Sequence, residues 1–163
     1  MRVLVTGANG FMGRNLVVRL HEDPDFDVLQ YTRDNSFDDL HRLALDADAV
    51  VHLAGINRPQ DPTEFEVGNC HLSEALCKAL SSTGRKIPIV FPSSIQAELD
   101  NPYGCSKRAA EDVLKAYSAT TGSAVYLYRL TNIFGKWCRP DYNSVVATFC
   151  NNIANGLPIK IHD

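Results

Sequence analysis

No sign of charge predominates in this chain. Sixteen Lys and Arg stand against nineteen Asp and Glu, a formal net charge of -3. That balance offers no attraction for nucleic acid or an anionic membrane surface, so neither partner is expected. No apolar run approaches the roughly 18 residues needed to span a bilayer, and the first residues already read as a strand, so a secretory leader is not expected. The five cysteines, at 70, 77, 105, 138 and 150, form no CxxC pair and no zinc spacing. Such an odd, scattered set suits a reducing, cytoplasmic setting in which thiols act as small core residues. The five histidines show no HExxH or related spacing, and no metal site is expected. Internal repeats and low-complexity segments are also lacking.

What remains is an alternation of short apolar runs and helical patterns. Strands are expected at 26–31, 49–55, 87–93 and 124–130, after a first strand in "MRVLVTG". Between them lie helical patterns that follow the first glycines and cover 36–45, 66–80, 103–120 and 142–155. Apolar runs of four to seven residues separated by helices predict an α/β fold: a doubly wound parallel sheet with helices on both faces. At 163 residues the chain allows one such domain, 1–163. The closing "LPIKIHD" reads as a strand starting at 159–161, which suggests continuation into a longer protein.

"TGANGFMG" places Gly7, Gly10 and Gly13 between the first strand and the first helix. One glycine serves a tight turn, one lets a pyrophosphate approach the backbone, and one lets helix and strand pack closely. In this context the pattern predicts a Rossmann-type dinucleotide site, with cofactor contacts across Gly7, Asn9, Gly10, Phe11, Met12 and Gly13. No GK[ST] follows, which argues against a P-loop enzyme. An NAD site usually carries an acidic residue at the tip of the second strand. Here the tip is "QYTR", and the Arg33 guanidinium suits a 2′-phosphate. NADP(H) is therefore expected over NAD(H), although the adjacent Asp34 weakens the signal.

"NPYGCSK" puts Tyr103 and Lys107 four apart on one helix face. A phenol exchanges protons poorly at neutral pH, and a neighbouring ammonium is expected to lower its pKa. "FPSSIQ" ends the fourth strand with Ser93 and Ser94, where such sheets hold their ligands, and a hydroxyl there can bond a reacting oxygen.

Together, "TGANGFMG", "VHLAG", "FPSSIQA", "NPYGCSK" and "YRLTNIFG" resemble the extended short-chain dehydrogenase/reductase superfamily. The resemblance implies a catalytic set of Ser94, Tyr103 and Lys107, with Ser93 as a neighbour. It places Leu53, Ala54, Gly55 and Asn69 with Tyr103 and Lys107 at the cofactor, Asn69 being the helix asparagine that props the central strands. Ser94, Gln96, Thr131 and Asn132 would face the substrate. Over "VHLAGINRPQ", "SSIQAELDNPYGCSK" and "IFGKWCRPDYNSVVATFCNNIA" the chain is similar to bifunctional capsular-polysaccharide synthesis enzymes. That similarity implies NADPH-dependent reduction of the C4 ketone of a UDP-4-keto-6-deoxy-N-acetylhexosamine. It also implies a homodimer and a C-terminal cupin domain beyond residue 163. An NAD-dependent 4-epimerase and a non-catalytic dinucleotide-binding domain are the alternatives.

Ile95 and Gln96 stand where sugar-nucleotide dehydratases carry an acidic pair, which argues against dehydration. His52 reads as a satisfied core imidazole and Cys105 as packing. Leu76, Leu80, Val113 and Leu114 read as helix positions packed on the sheet. Trp137, in a loop near the expected substrate entrance, reads either as pocket wall or as loop anchor; Arg58 and Arg139 read as solvated loop charges, with contact to a diphosphate as the alternative.

Overall fold

The computed structural model describes residues 1–57, 61 and 65–161. Arg58 and His162 therefore lie outside the described residues. The chain divides into two units, Met1–Leu130 and Thr131–Asp163. The first unit carries five strands: β1 (Arg2–Thr6), β2 (Asp27–Tyr31), β3 (Ala49–His52), β4 (Ile89–Ser94) and β5 (Val125–Leu130). All pair in parallel, in the order β2-β1-β3-β4-β5. This is a Rossmann-like sheet, although among the described residues no strand flanks β2 on its outer side. The reason is chain length: residues 32–48 hold only α2 (Phe37–Asp46) before β3 begins. The chain thus reverses direction at β1, leaving a crevice between the carboxyl ends of β1 and β3, where open α/β sheets hold ligands.

Alternation along β1 explains the two layers. Val3 and Val5 pack with Leu16, Val17 and Leu20 of α1 (Phe11–His21) on one face. Leu4 joins the larger cluster on the other, with Leu40 of α2, Leu76 and Leu80 of α3 (Leu72–Ser82), and Leu114 of α4 (Pro102–Thr121). Val113 packs at the edge of that cluster. On β5 only one face is covered within this unit, so Tyr126 and Tyr128 remain about half exposed.

Local chemistry sets the helix limits. Ser36 and Asp39 form a reciprocal capping box on α2. Asn101 caps α4 by accepting from Gly104 N–H at 2.7 Å, Pro102 follows, and Gly122 at φ 69° ends the helix. β3 is shorter than the expected 49–55 because side chains replace strand partners: Ala54 N–H donates to Thr6 Oγ1 and Ile56 N–H to Asn69 Oδ1. The expected helix at 66–80 begins instead as a π-helical turn, Glu66–His71, that runs into α3.

In the second unit, Ser144 caps α5 (Val145–Ala154) by accepting from Ala147 N–H. The strand expected at 159–161 does not form among the described residues: positions 158–161 are irregular and exposed, and no strand pairs with them.

Two glycines test the packing argument. A Cβ on Gly13 would fall 2.1 Å from Gly7 O and 2.7 Å from Ala8 Cα, both backbone, so neither can yield. At Gly84 (φ 68°) a Cβ meets nothing within 4 Å. In urea unfolding, Gly13→Ala is expected to cost about 3 kcal/mol through overpacking. Gly84→Ala should cost only about 1 kcal/mol of left-handed strain. Equal losses would contradict the close helix–strand contact.

Candidate functional site

The site is built where three backbones meet. Gly7 (φ 69°) turns the chain out of β1, its N–H donating to Tyr31 O at 2.8 Å. A Cβ there would lie 2.7 Å from Ala54 N and 2.9 Å from Leu53 C, so glycine permits the turn to touch the end of β3. Gly10 starts α1 without a side-chain cap. Its Cβ would meet one atom, Gly7 O at 3.1 Å, so the protein's own packing leaves the space above it nearly open. Uncapped N–H groups beside that space fit the diphosphate of a dinucleotide. Asn9 is exposed there, and Phe11 and Met12 are half-buried. Arg33 and Asp34 are both exposed in the turn after β2.

A buried polar chain joins β1 to β3. His52, 1 % exposed, lies 2.6 Å from Thr6 Oγ1 through Nδ1 and 3.0 Å from Ser73 Oγ through Nε2. Ser73 Oγ donates to Asn69 O, so it must accept from the Nε2–H of His52, and Nδ1 accepts from Thr6. Burial, helped by the charge on Lys107, pushes the imidazole down to about 3 and keeps it neutral. His52 is thus a satisfied core residue. Asn69 is fully committed too: Oδ1 accepts from Ile56 N–H, and Nδ2 donates to Ile56 O and Ser106 Oγ. It leans on Gly55, where a Cβ would meet Oδ1 at 2.7 Å. Its geometry is that of a prop between the β3 extension and α4.

The structure brings Tyr103 to Ser94, and Lys107 to Pro92 two residues earlier on the same strand. The eight residues between Ser94 and Tyr103 include a 3-10 turn, Ile95–Glu98, for which the Ser94 hydroxyl accepts from Gln96 N–H. Gly104 is the hidden requirement: its Cβ would lie 2.2 Å from Gln96 O and 2.5 Å from Leu99 O. Lacking one, α4 starts directly against the strand end. Tyr103 is half-buried, with Phe65 against its ring at 5.7 Å. Burial pushes its phenol up, and a hydrogen bond with Ser94 acts in the opposite direction.

The expectation that Lys107 lowers this pKa is not met. The ammonium turns instead to Pro92 O at 3.2 Å and lies 4.1 Å over the Phe91 ring. Desolvation brings the amine down to about 8, partly offset by Glu111. Gln96 is exposed within the 3-10 turn, and Thr131 and Asn132 are exposed in the second unit. The loop of that unit holds Trp137 and Asp141 at positive φ, with Arg139 over the Tyr142 ring.

Two expectations about thiols are corrected. Cys105 is exposed and accepts from Arg108 at 3.6 Å, because two residues past Tyr103 turns it to the uncovered face of α4. Only Cys77 of the five is buried, its thiol pushed up to about 12 mainly by desolvation. Gly104, Phe65, Ser106 and Glu111 escaped the sequence reading. For Glu111 a signal existed, since it continues the Tyr103–Lys107 spacing by four more residues.

The buried amine makes stability pH-dependent. Between about pH 8, the folded value, and the ordinary 10.5, the unfolded chain binds more protons at Lys107 than the folded one. Its contribution therefore rises with pH across that window. Cys77 acts oppositely, so the comparison is with Lys107→Met. Subtracting the variant's unfolding free energies from those of the unsubstituted protein, from pH 7 to 10.5, should leave a rising difference. A flat difference would mean the amine is not desolvated.

Comparison with known proteins agrees with this architecture. The NAD dependent epimerase/dehydratase family pattern matches residues 3–163. A UDP-2-acetamido-2,6-beta-L-arabino-hexul-4-ose reductase of Pseudomonas aeruginosa is 53% identical over all 163 residues, which span 44% of that enzyme. The capsular polysaccharide assembling protein CapF of Staphylococcus aureus superposes with TM-score 0.87 at 43% identity, covering 100% of this chain and 44% of that one. A UDP-glucuronic acid 4-epimerase from Bacillus cereus, solved with NAD, shares the fold at TM-score 0.82 and 20% identity, over 99% of this chain and 66% of that one. The chain thus spans less than half the length of the first two relatives. With its glycine turn, its parallel sheet and a family pattern that runs nearly end to end, this chain belongs to the NAD dependent epimerase/dehydratase family.

Proposed function

We propose that this chain is the dinucleotide-binding part of an NADP(H)-dependent reductase acting on the C4 ketone of a UDP-4-keto-6-deoxy-N-acetylhexosamine, in the synthesis of a capsule or surface polysaccharide precursor. The observation that carries the reading is the hydrogen bond between Tyr103 and Ser94 at the end of β4, with Lys107 one helical turn on and bonded to Pro92 O of the same strand. The identity to a hexulose reductase supports the substrate class.

When bound, a nicotinamide dinucleotide supplies hydride to the carbonyl carbon. Gly7, Gly10 and Gly13 shape the turn for its diphosphate, and Asn9, Phe11, Met12, Leu53, Ala54 and Gly55 line the approach. Arg33, exposed beyond β2, is suited to a 2′-phosphate, which favours NADP(H) over NAD(H). Asn69 serves by holding Ile56 and Ser106 in place.

For reduction, the phenol must start protonated. Burial of Tyr103 secures that state, so the hydroxyl can deliver its proton to the ketone oxygen as negative charge collects there. Ser94 offers a second hydrogen bond to the same oxygen. Lys107, held at Pro92 O and over the Phe91 ring, is assigned to the cofactor side of the set and not to lowering the resting pKa of the phenol. Gln96, Thr131 and Asn132 are assigned to the sugar side. Ile95 and Gln96 provide neither acid nor base, which leaves dehydration without its groups.

The reading extends to a longer polypeptide with a further reductase segment and a cupin domain, acting as a homodimer in the cytoplasm. The share of the relatives that this chain spans supports a longer polypeptide.

The test uses the complete protein with the UDP-4-keto sugar, following oxidation of NADPH and of NADH. Turnover with preference for NADPH is expected, and Tyr103→Phe should lower kcat by about 10²–10⁴-fold. No turnover with either cofactor, or an unchanged rate in the variant, would overturn the proposal.

A further inference from the structure

The Tyr103–Lys107 stripe does not end at Lys107. One turn further along α4, Glu111 is buried, 1 % exposed, with a carboxylate that is fully engaged. Its Oε1 accepts from Ser93 Oγ at 2.6 Å and Arg129 Nε at 2.9 Å, and its Oε2 from Arg129 Nη2 at 2.8 Å. Lys115 Nζ approaches Oε2 at 3.7 Å. Arg129 belongs to β5, and its Nη1 reaches on to Glu98 at 3.0 Å, in the turn that follows Ser94.

These bonds surround the strand end. Ser93 is adjacent to Ser94 and points to the helix side. Arg129 pairs with Ser93 across the β4–β5 ladder and grips the far side of the Ser94 turn. One carboxylate therefore ties α4, β4, β5 and the turn into one frame. Removing a buried partner of this kind leaves unpaired polar groups, so a structural role alone would be unremarkable. What separates Glu111 from an ordinary brace is its place in the spacing Tyr103, Lys107, Glu111 along the face toward β4.

We propose that Glu111 is a positioning residue for the Ser94, Tyr103 and Lys107 constellation, acting on the strand end through Ser93 and Arg129 and on Lys107 through its charge. The inference rests on the reductase reading for its kinetic arm alone.

The electrostatic arm follows from the surroundings of the amine. From β4, Lys107 meets a carbonyl and a ring, which carry no formal charge. From β3, the imidazole of His52 is neutral. From β5 comes the positive Arg129, held by Glu111 and Glu98. On its own helix stand Tyr103, neutral, and Glu111. Of these neighbours, Glu111 is the group that favours the ammonium, and it opposes the desolvation of Lys107. Neutralising it removes the charge that opposes desolvation of the amine, so the ammonium loses its proton at lower pH.

The experiment compares the complete protein with its Glu111→Gln and Ser93→Ala variants. Each is checked for folding by circular dichroism and assayed for NADPH oxidation from pH 6 to 10. Lysine Cε and Nζ resonances are titrated in parallel, with Lys107 assigned through Lys107→Arg. Folded Glu111→Gln should lose roughly 10- to 100-fold in kcat, with less than about a threefold change in KM for the sugar. Its alkaline limb and the Lys107 titration should both move to lower pH, by about one unit.

Ser93→Ala keeps the charge, so it should lose roughly 3- to 10-fold in kcat with the limb in place. A folded Glu111→Gln whose limb and lysine titration both stay in place would overturn the inference. If Glu111→Gln does not fold, Ser93→Ala decides: an unchanged kcat overturns the proposal, and the loss at constant limb supports it. If the unsubstituted protein shows no turnover, the reductase reading falls, and the lysine titration still decides whether Glu111 acts on Lys107.

Discussion

A positive charge taken out of water organises this structure. The ammonium of Lys107 is nearly enclosed, and enclosure of an unpaired cation is expensive. Three features meet the cost: a strand carbonyl, an aromatic face, and a carboxylate one turn away on the same helix. None alone resembles a full salt bridge. Desolvation brings the amine down to about 8 against the opposing charge of Glu111, so it remains a cation at neutral pH yet keeps little hydration. A charge in that condition acts strongly on neighbouring groups, since few water dipoles screen it.

The glycines serve the same end by different means. Gly7 and Gly55 let the β1 turn, the β3 extension and the Asn69 side chain crowd together, and Gly104 lets α4 begin against two carbonyls. Backbone atoms cannot be pushed aside as a flexible side chain can. The relative positions of the turn, the strand ends and the start of α4 are therefore set by contacts that have almost no tolerance. Side-chain bonds from Asn69, Ser106 and Ser93 then fix the remaining freedom.

Much of this was legible in the residue pattern, and the failures have physical causes. Apolar runs with helices between them predicted the parallel sheet, because both periodicities follow from backbone geometry alone. The ends of α4 are set by local bonds of Asn101, Pro102 and Gly122, which the helical pattern alone did not use. The shortening of β3 was hidden, since it depends on Thr6 and Asn69 taking partners that a neighbouring strand would otherwise supply. Gly104 looked like an ordinary residue beside a tyrosine; its need appears only once the turn at Ile95–Glu98 folds back over it. The phenol was expected to feel Lys107 most, whereas burial dominates it. Spacing along a helix tells which side chains share a face, and says nothing of what else competes for their charge.

The chain of bonds through His52 has a directional consequence. Starting at Ala54 N–H, every proton points the same way, through Thr6, the imidazole and Ser73 to the carbonyl of Asn69. Turning one member around would set two protons, or two lone pairs, face to face unless all the others turned with it. The wire between the glycine turn and the third helix thus has a single polarity, which neighbouring bonds reinforce by polarising one another. It stays locked in that sense while the imidazole is neutral, a state that burial preserves down to about pH 3.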